Sequence, residues 1–307
     1  MRVTQSMLTN NLLRNLNTNY NNMSKLQEQI NSGSLLTRPS DDPVVAVKGM
    51  QNRVQVDRVE QYQRNINDAN TWLDSSDDAL SQVNEALQRV QELIVQASND
   101  TNTADDREKI AIEINQMKLQ IRDVANTRVG ENYIFTGTHT DLPMYKDGEN
   151  QINQDLLENG KKNAFKINVY EGVSLQINTP AAPFFEQADQ FLTELHSLLT
   201  SGKSGNEISV ALGAEISSTG TSVIPGLDKV FNLGLALQSE VGARQNRLEM
   251  MSNRLDIQYT NAVKQLSENE DTDYSKAITD MTTAESIHQA SLSVGSKIIR
   301  QTLVDFL

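Results

Sequence analysis

The sequence predicts a mainly α fold, an elongated bundle of long antiparallel coiled-coil helices with a small β-rich insertion. Apolar residues keep one heptad phase for six repeats between Val59 and Ala97. Similar helical spacing returns near both ends of the chain, while β-branched, glycine-punctuated segments are confined to its middle. Only 37% of the 307 residues are hydrophobic and 5% aromatic, so apolar side chains must be spent in thin seams rather than in a wide globular core.

At the start, Leu13, Leu16, Tyr20, Met23 and Ile30 mark a seam along one helix, with Gln27 as its polar member. The other faces are Asn, Gln, Ser and Thr. A helix with so little apolar surface needs a packed partner to persist, so this end, like the terminal helix at the other end, is expected to be disordered in the monomer until it finds one. The stretch SGSLLTRPSDDP, residues 32–43, breaks the pattern. Asp42 suits an N-cap and Pro43 the first helical position, where its missing N–H costs nothing.

From Pro43 to about Ala97 a single Gly and no further Pro interrupt the chain. Val59, Ile66, Leu73, Leu80, Leu87 and Ile94 recur every seven residues. Tyr62, Ala69, Ser76, Val83, Val90 and Ala97 follow each by three. These form a core seam on a helix that would reach roughly 80 Å at about 1.5 Å per residue. SNDTNTADD is a polar turn in which Thr103 and Asp106 resemble a capping box, and Ile110, Ile114, Met117, Ile121 and Val124 form the next stripe. A short turn between two such helices implies an antiparallel hairpin.

After Gly130 the segments ENYIFTGT, FKINVYEG and VSLQINT read as short strands between about Tyr133 and Thr179. Helical spacing resumes with Phe185, Ala188, Leu192, Leu195 and Leu199. The Gly- and Ser-rich stretches 201–205 and 217–226 read as loops or poorly packed turns. A long helix from about Leu227 to Leu266 and a terminal helix carrying Ile278, Met281, Ala284, Ile287, Val294 and Ile298 complete the chain. The resulting division is an N-terminal assembly helix and linker (1–42), a long core hairpin (43–138), a β-rich insertion (139–183), returning core helices (184–270) and a C-terminal assembly helix (271–307).

A net charge of −13 has the wrong sign for holding a phosphate backbone, which argues against nucleic acid as a partner. No run of about 18 apolar residues offers a membrane span, and the first residues lack the apolar stretch of a Sec signal, so export would use a route that leaves the N-terminus uncut. Cysteine is absent, which removes disulfides and thiolate chemistry.

His139, His196 and His288 have no zinc-site spacing. Gly202, Lys203 and Ser204 resemble the tail of a phosphate-binding loop, but its leading glycine would fall at Ser197. The acid cluster Glu268, Glu270, Asp271 and Asp273 lacks the calcium-loop spacing and reads as a helix joint, with Asp271 or Asp273 capping the last helix. Neither a catalytic constellation nor a cofactor or metal site is expected.

Several segments carry a resemblance. KLQEQINSGSLLTRPSDDPVVAVKGM (25–50), RVQELIVQASNDTN (89–102), RVGENYIFTGT (128–138), EVGARQNRLE (240–249) and EDTDYSKAITDM (270–281) resemble the bacterial flagellin family, in order along the chain. RPSDDP, ENYIFTG and the ending TLVDFL look more like its hook–filament junction branch than like the filament subunit. The resemblance implies a structural subunit of the extracellular flagellum, exported through the flagellar type III channel and assembled in a ring of its own copies. Its implied partners are the larger neighbouring hook-associated junction protein, flagellin and an export chaperone. In the family the terminal helices form the inner coiled-coil layer. The seam residues near both ends, Leu13 to Ile30 and Ile278 to Ile298, are accordingly expected to be the assembly interface. The alternatives are flagellin itself, or a secreted coiled-coil effector or adhesin that binds through the β insertion.

Overall fold

The computed structural model describes residues 5–99, 101–146, 152–153, 156, 164–201, 208, 216–218, 222–224 and 226–304, with backbone alone at 5–6, 216–218, 222–224 and 298–304. It contains α1 (Gln5–Ser32), α2 (Pro43–Ala97), α3 (Ala104–Ala125), β1 (Arg128–Val129), β2 (Asn132–Tyr133), β3 (Lys166–Tyr170) and β4 (Val173–Gln176). There follow α4 (Ala182–Thr200), β5 (Ile216–Ser218), β6 (Ser222–Ile224), α5 (Leu227–Glu270) and α6 (Tyr274–Val304). The fold is mainly α. Among the described residues the strands pair as three two-stranded antiparallel hairpins. No described helix is long and apolar enough to cross a membrane. The chain divides into two compact units, Met1–Glu60 with Ile257–Leu307, and Gln61–Asp256.

In the Gln61–Asp256 unit, α2 and α5 run antiparallel, with Gln63 Nε2 donating to Asp256 Oδ1 at 2.9 Å, Gln245 Nε2 to Asp74 Oδ1 at 2.9 Å and Asn84 Nδ2 to Gln238 Oε1 at 2.9 Å. Their shared seam holds Ile66, Leu73, Leu80, Leu87 and Ile94 from α2 and Val241, Leu248 and Leu255 from α5, all buried. Helix α3 starts on a capping box in which Thr103 and Asp106 each satisfy the other's backbone N–H, and its Arg89 partner on α2 reaches Glu113 at 2.8 Å. The Thr103 hydroxyl, then Lys109, hold the Asp106 carboxyl below its ordinary range.

Helix α3 packs on α4, where Arg122 grips Asp189 through Nε at 2.6 Å and Nη2 at 3.0 Å while Lys118 Nζ donates to Thr193 Oγ1 at 2.7 Å. Phe135 and Phe184 meet Phe185 edge-on, each at 5.2 Å between centroids. Tyr145 closes this layer, its hydroxyl donating to Phe185 O at 3.2 Å.

The β segments differ in detail from the expectation. Tyr133 ends the β1–β2 hairpin, whose turn needs Gly130 at φ 63°, and Ile134 to Thr136 lie outside any strand. Their side chains are all buried rather than alternating, because Phe135 is used in the aromatic cluster. A further correction concerns residues 217–226, read as loop. Here β5 pairs with β6, Ile216 opposite Ile224. Ser217, Ser218 and Ser222 on the two strands hid the β-branched Ile216, Val223 and Ile224.

In the other unit, the start of α2 lies beside the end of α5, with Asn52 Nδ2 donating to Gln265 O at 3.2 Å and Val56, Val59 and Ala262 buried. Asp42 Oδ1 accepts the N–H groups of Val44 and Val45 at 3.0 and 3.1 Å, with Pro43 at the first helical position. Helix α1 packs against α6.

Candidate assembly interface

The terminal helices are an antiparallel pair. Three contacts set the register: Leu12 against Gly295, the Asn19 Nδ2 donating to Ala284 O at 2.9 Å, and the Tyr20 ring 6.4 Å from that of His288. The partner that α1 was expected to need is thus supplied within the chain. The α6 side of the seam is Ala277, Met281, Ala284, His288, Ser291 and Gly295, alternating by four and three residues. A Cβ at Gly295 would stand 2.8 Å from Leu12 Cδ2, so the absence of a side chain there seats Leu12. On α1 the least exposed positions are Thr9, Leu12, Leu16, Asn19, Met23, Leu26, Gln29 and Ile30.

This phase divides the residues singled out in the sequence. Leu16, Met23 and Ile30 are half-buried on the inner seam, as is Met281, and Ala284 is buried there. Leu13, Tyr20, Ile278, Ile287 and Val294 lie beside it, each more than half exposed, at 52%, 63%, 51%, 52% and 52%. They take the flanking heptad positions, joined by Leu8 and Leu292. The backbone of Ile298 is helical, and its side chain is outside the described set. The core heptad residues Val59, Ile66, Leu73, Leu80, Leu87 and Ile94 are all buried.

The joint between the long and terminal helices is a clasp of two linkers. Ser34 and Asp271 form an antiparallel bridge, Leu35 N donates to Glu270 O at 2.7 Å, and Thr272 N donates to Gly33 O at 2.9 Å. Gly33 turns α1 into this bridge at φ 71°, and a Cβ there would meet Tyr274 Oη at 2.8 Å. The acids have separate duties. Asp273 Oδ1 caps α6, accepting from Ser275 N at 3.0 Å and Lys276 N at 3.2 Å. Asp271 receives the Ser267 hydroxyl at the end of α5. Glu270 Oε2 takes both Nε (2.9 Å) and Nη2 (2.6 Å) of Arg53. Buried Gln29 seals the clasp, its Nε2 donating to Leu35 O at 2.7 Å.

Sequence reasoning missed Asn19, Gln29, Gly49 and Gly295. Gly49 and Gly295 left a signal, each as the single glycine of a long helix, of 55 and 31 residues. Among the described residues no group of three or more His, Asp and Glu could hold a metal ion. The segment containing Gly202, Lys203 and Ser204 lies outside the described residues.

Comparison with known proteins accounts for a chain organised around paired ends. The family model for the bacterial flagellin N-terminal helical region matches residues 3–140, and that for the C-terminal helical region matches residues 227–307. This chain belongs to the bacterial flagellin family. A flagellin from Clostridium tyrobutyricum is 29% identical over 76% of the chain, a match spanning 60% of that relative's length. The flagellin of Bacillus subtilis is 26% identical, with 95% of this chain and 94% of the relative covered. The flagellar hook-associated protein 3 of Escherichia coli is 25% identical, with 95% of each covered.

Two solved structures share the fold. One, from Vibrio parahaemolyticus and provisionally assigned to the flagellar hook-associated proteins, has a TM-score of 0.62 at 20% identity, covering 75% of this chain and all of that one. Bacillus cereus FlgL has a TM-score of 0.57 at 19% identity, covering 71% and 99%. This flagellin-family chain is a structural component of the flagellum, not an enzyme.

Proposed function

We propose that the protein joins hook to filament in the bacterial flagellum, assembling through the outer flanks of its α1/α6 pair after flagellar type III export to the cell exterior. The observation that carries this reading is the apolar flank of the pair. Leu13, Tyr20, Ile278, Ile287, Leu292 and Val294 stand exposed on helices whose inner seam is already filled, so one heptad face serves the protomer and the flanking positions remain for neighbours. The likeness to hook-associated protein 3 of Escherichia coli over 95% of each chain supports the junction position. Its neighbours would be copies of itself in a ring, the larger hook-associated junction protein on one side and flagellin on the other, with an export chaperone holding the chain beforehand.

A filament subunit is the second reading, favoured by the 26% identity to Bacillus subtilis flagellin over nearly the whole chain. Labelling intact flagella with a specific antibody separates the two. Label confined to the hook–filament boundary is expected, and label along the filament would overturn the junction role. Replacing Leu13 and Ile287 with Asp should leave the purified chain folded and exclude it from flagella. Normal incorporation would show that these flanks are not the assembly surface.

A further inference from the structure

The first four turns of α2 carry an apolar stripe on the side facing away from α5. Val44, Val47, Met50 and Val54 are 65%, 49%, 56% and 55% exposed. On the opposite side Gly49 and Val56 are buried. Four large apolar side chains on one solvent-facing stripe form a contiguous patch rather than scattered surface residues. The stripe continues through Met50 into a cleft of about 160 Å³ between the linker of residues 34–39 and α2. Two cations border it, Arg38 on the cleft wall and Lys48 on the helix, and neither is ion-paired among the described residues.

A surface of the matching kind exists on the same molecule. The flank of α6 formed by Asp280, Ile287 and Val294 is exposed, repeats every seven residues as Val47 and Val54 do, and carries an acid with no ion pair among the described residues. The α1 flank of Leu13 and Tyr20 has Gln27 at the equivalent third position and no acid. We infer that the α2 stripe docks the Asp280–Ile287–Val294 flank of a second copy of this chain.

Charge selects this pairing, since two α2 stripes face to face would oppose Lys48 to Lys48, whereas the α6 flank sets Asp280 against the bordering cations. The symmetry of the contact is equally informative. A patch that binds a different patch on the next copy is heterologous and continues into a ring or helix, unlike a self-complementary face, which closes at a dimer. The inference rests on the assembly reading above and names the receiving surface for one of its flanks.

The cysteine-free chain allows a direct test. Full-length V54C and I287C variants, each carrying a different mass tag, are mixed at high concentration and treated with a short bismaleimide. Cross-linked V54C–I287C heterodimer should exceed by several-fold the yield from V54C with I112C, Ile112 being an exposed residue of α3. Equal yields would overturn the inference. The K48E change in the V54C chain should lower the yield, and D280K in the I287C chain should restore it. A yield that K48E leaves unchanged overturns the charge-matched pairing. In cells, V54D should be excluded from flagella as I287D is. Exclusion of I287D with normal incorporation of V54D would sink this inference alone, while normal incorporation of I287D would sink the assembly reading beneath it.

Discussion

The carboxylate of Glu270 occupies the space in which a side chain on Gly49 would begin: a Cβ there would lie 3.2 Å from Glu270 Cδ and closer still to its Oε1. The glycine is buried within α2, where alanine would otherwise favour the helix by about 1 kcal/mol. A double-mutant cycle isolates the cost of the contact. G49A should stabilise the chain by about 1 kcal/mol in an E270A background and give little or no gain alone, as Arg53 loses its acceptor. Equal effects in both backgrounds, measured by chemical unfolding, would show that Glu270 does not need the space.

Gly295 plays the corresponding part on α6. G295V should push Leu12 from the inner seam and speed amide exchange along both terminal helices, leaving the α2/α5 core protected. Unchanged exchange in α1 would mean that Leu12 repacks. Asp at Leu16 or Met23 should act like G295V, because these residues face the seam, whereas Asp at Ile287 or Val294 should leave monomer exchange untouched.

That split shows what the sequence could and could not reveal. The α2 heptad was legible because Val59, Ile66, Leu73, Leu80, Leu87 and Ile94 are all apolar and all point one way. On α1 the phase was hidden by Asn19, a polar residue at an inner position where its amide meets Ala284 O. Counting apolar residues alone then merged Leu13 and Tyr20 from the flank with Leu16 and Met23 from the seam. The α6 seam was obscured for a different reason, since Ala277, Ser291 and Gly295 among its inner residues are small and carry little hydrophobic signal. Caps were readable from side-chain chemistry at Asp42 and Thr103 and narrowed to Asp271 or Asp273 at the start of α6, whereas the Ser34–Asp271 bridge joins linkers that no local pattern connects.

The acid cluster at the joint separates by substitution. D273A removes the acceptor for two N–H groups and should cost about 1 kcal/mol, with faster exchange at Ser275 and Lys276. D271A should cost less, its carboxylate being held by a hydroxyl rather than by orphan helix donors. Larger loss from D271A would reassign the cap.

The capping box of α3 gives a pH dependence of known sign. A carboxyl held below its ordinary value contributes stability in full above the unfolded value, about 4, and loses it as the pH falls through the lowered folded value. The first turn of α3 should therefore loosen only in acid below that of a free carboxylate. T103A, which removes the largest cause, should move the Asp106 carboxyl resonance titration upward. A titration that T103A does not move would assign the shift elsewhere.

Leu80, fully buried in the α2 seam, sets the scale for core loss: L80A should cost about 2–5 kcal/mol in unfolding experiments. A cost under about 1 kcal/mol would indicate that the seam collapses around the gap.

Asn19 and Ala284 stand 265 positions apart, and the clasp of Gly33 to Thr272 joins segments almost as distant. Contacts of such long sequence separation carry a closure entropy that falls due before any of them forms. The molecule therefore contains a clock. However the chain is delivered, Leu12 and Asn19 on α1 have no inner-seam partner until Ala284 and Gly295 of α6 have arrived, and only then do the two helices become one object.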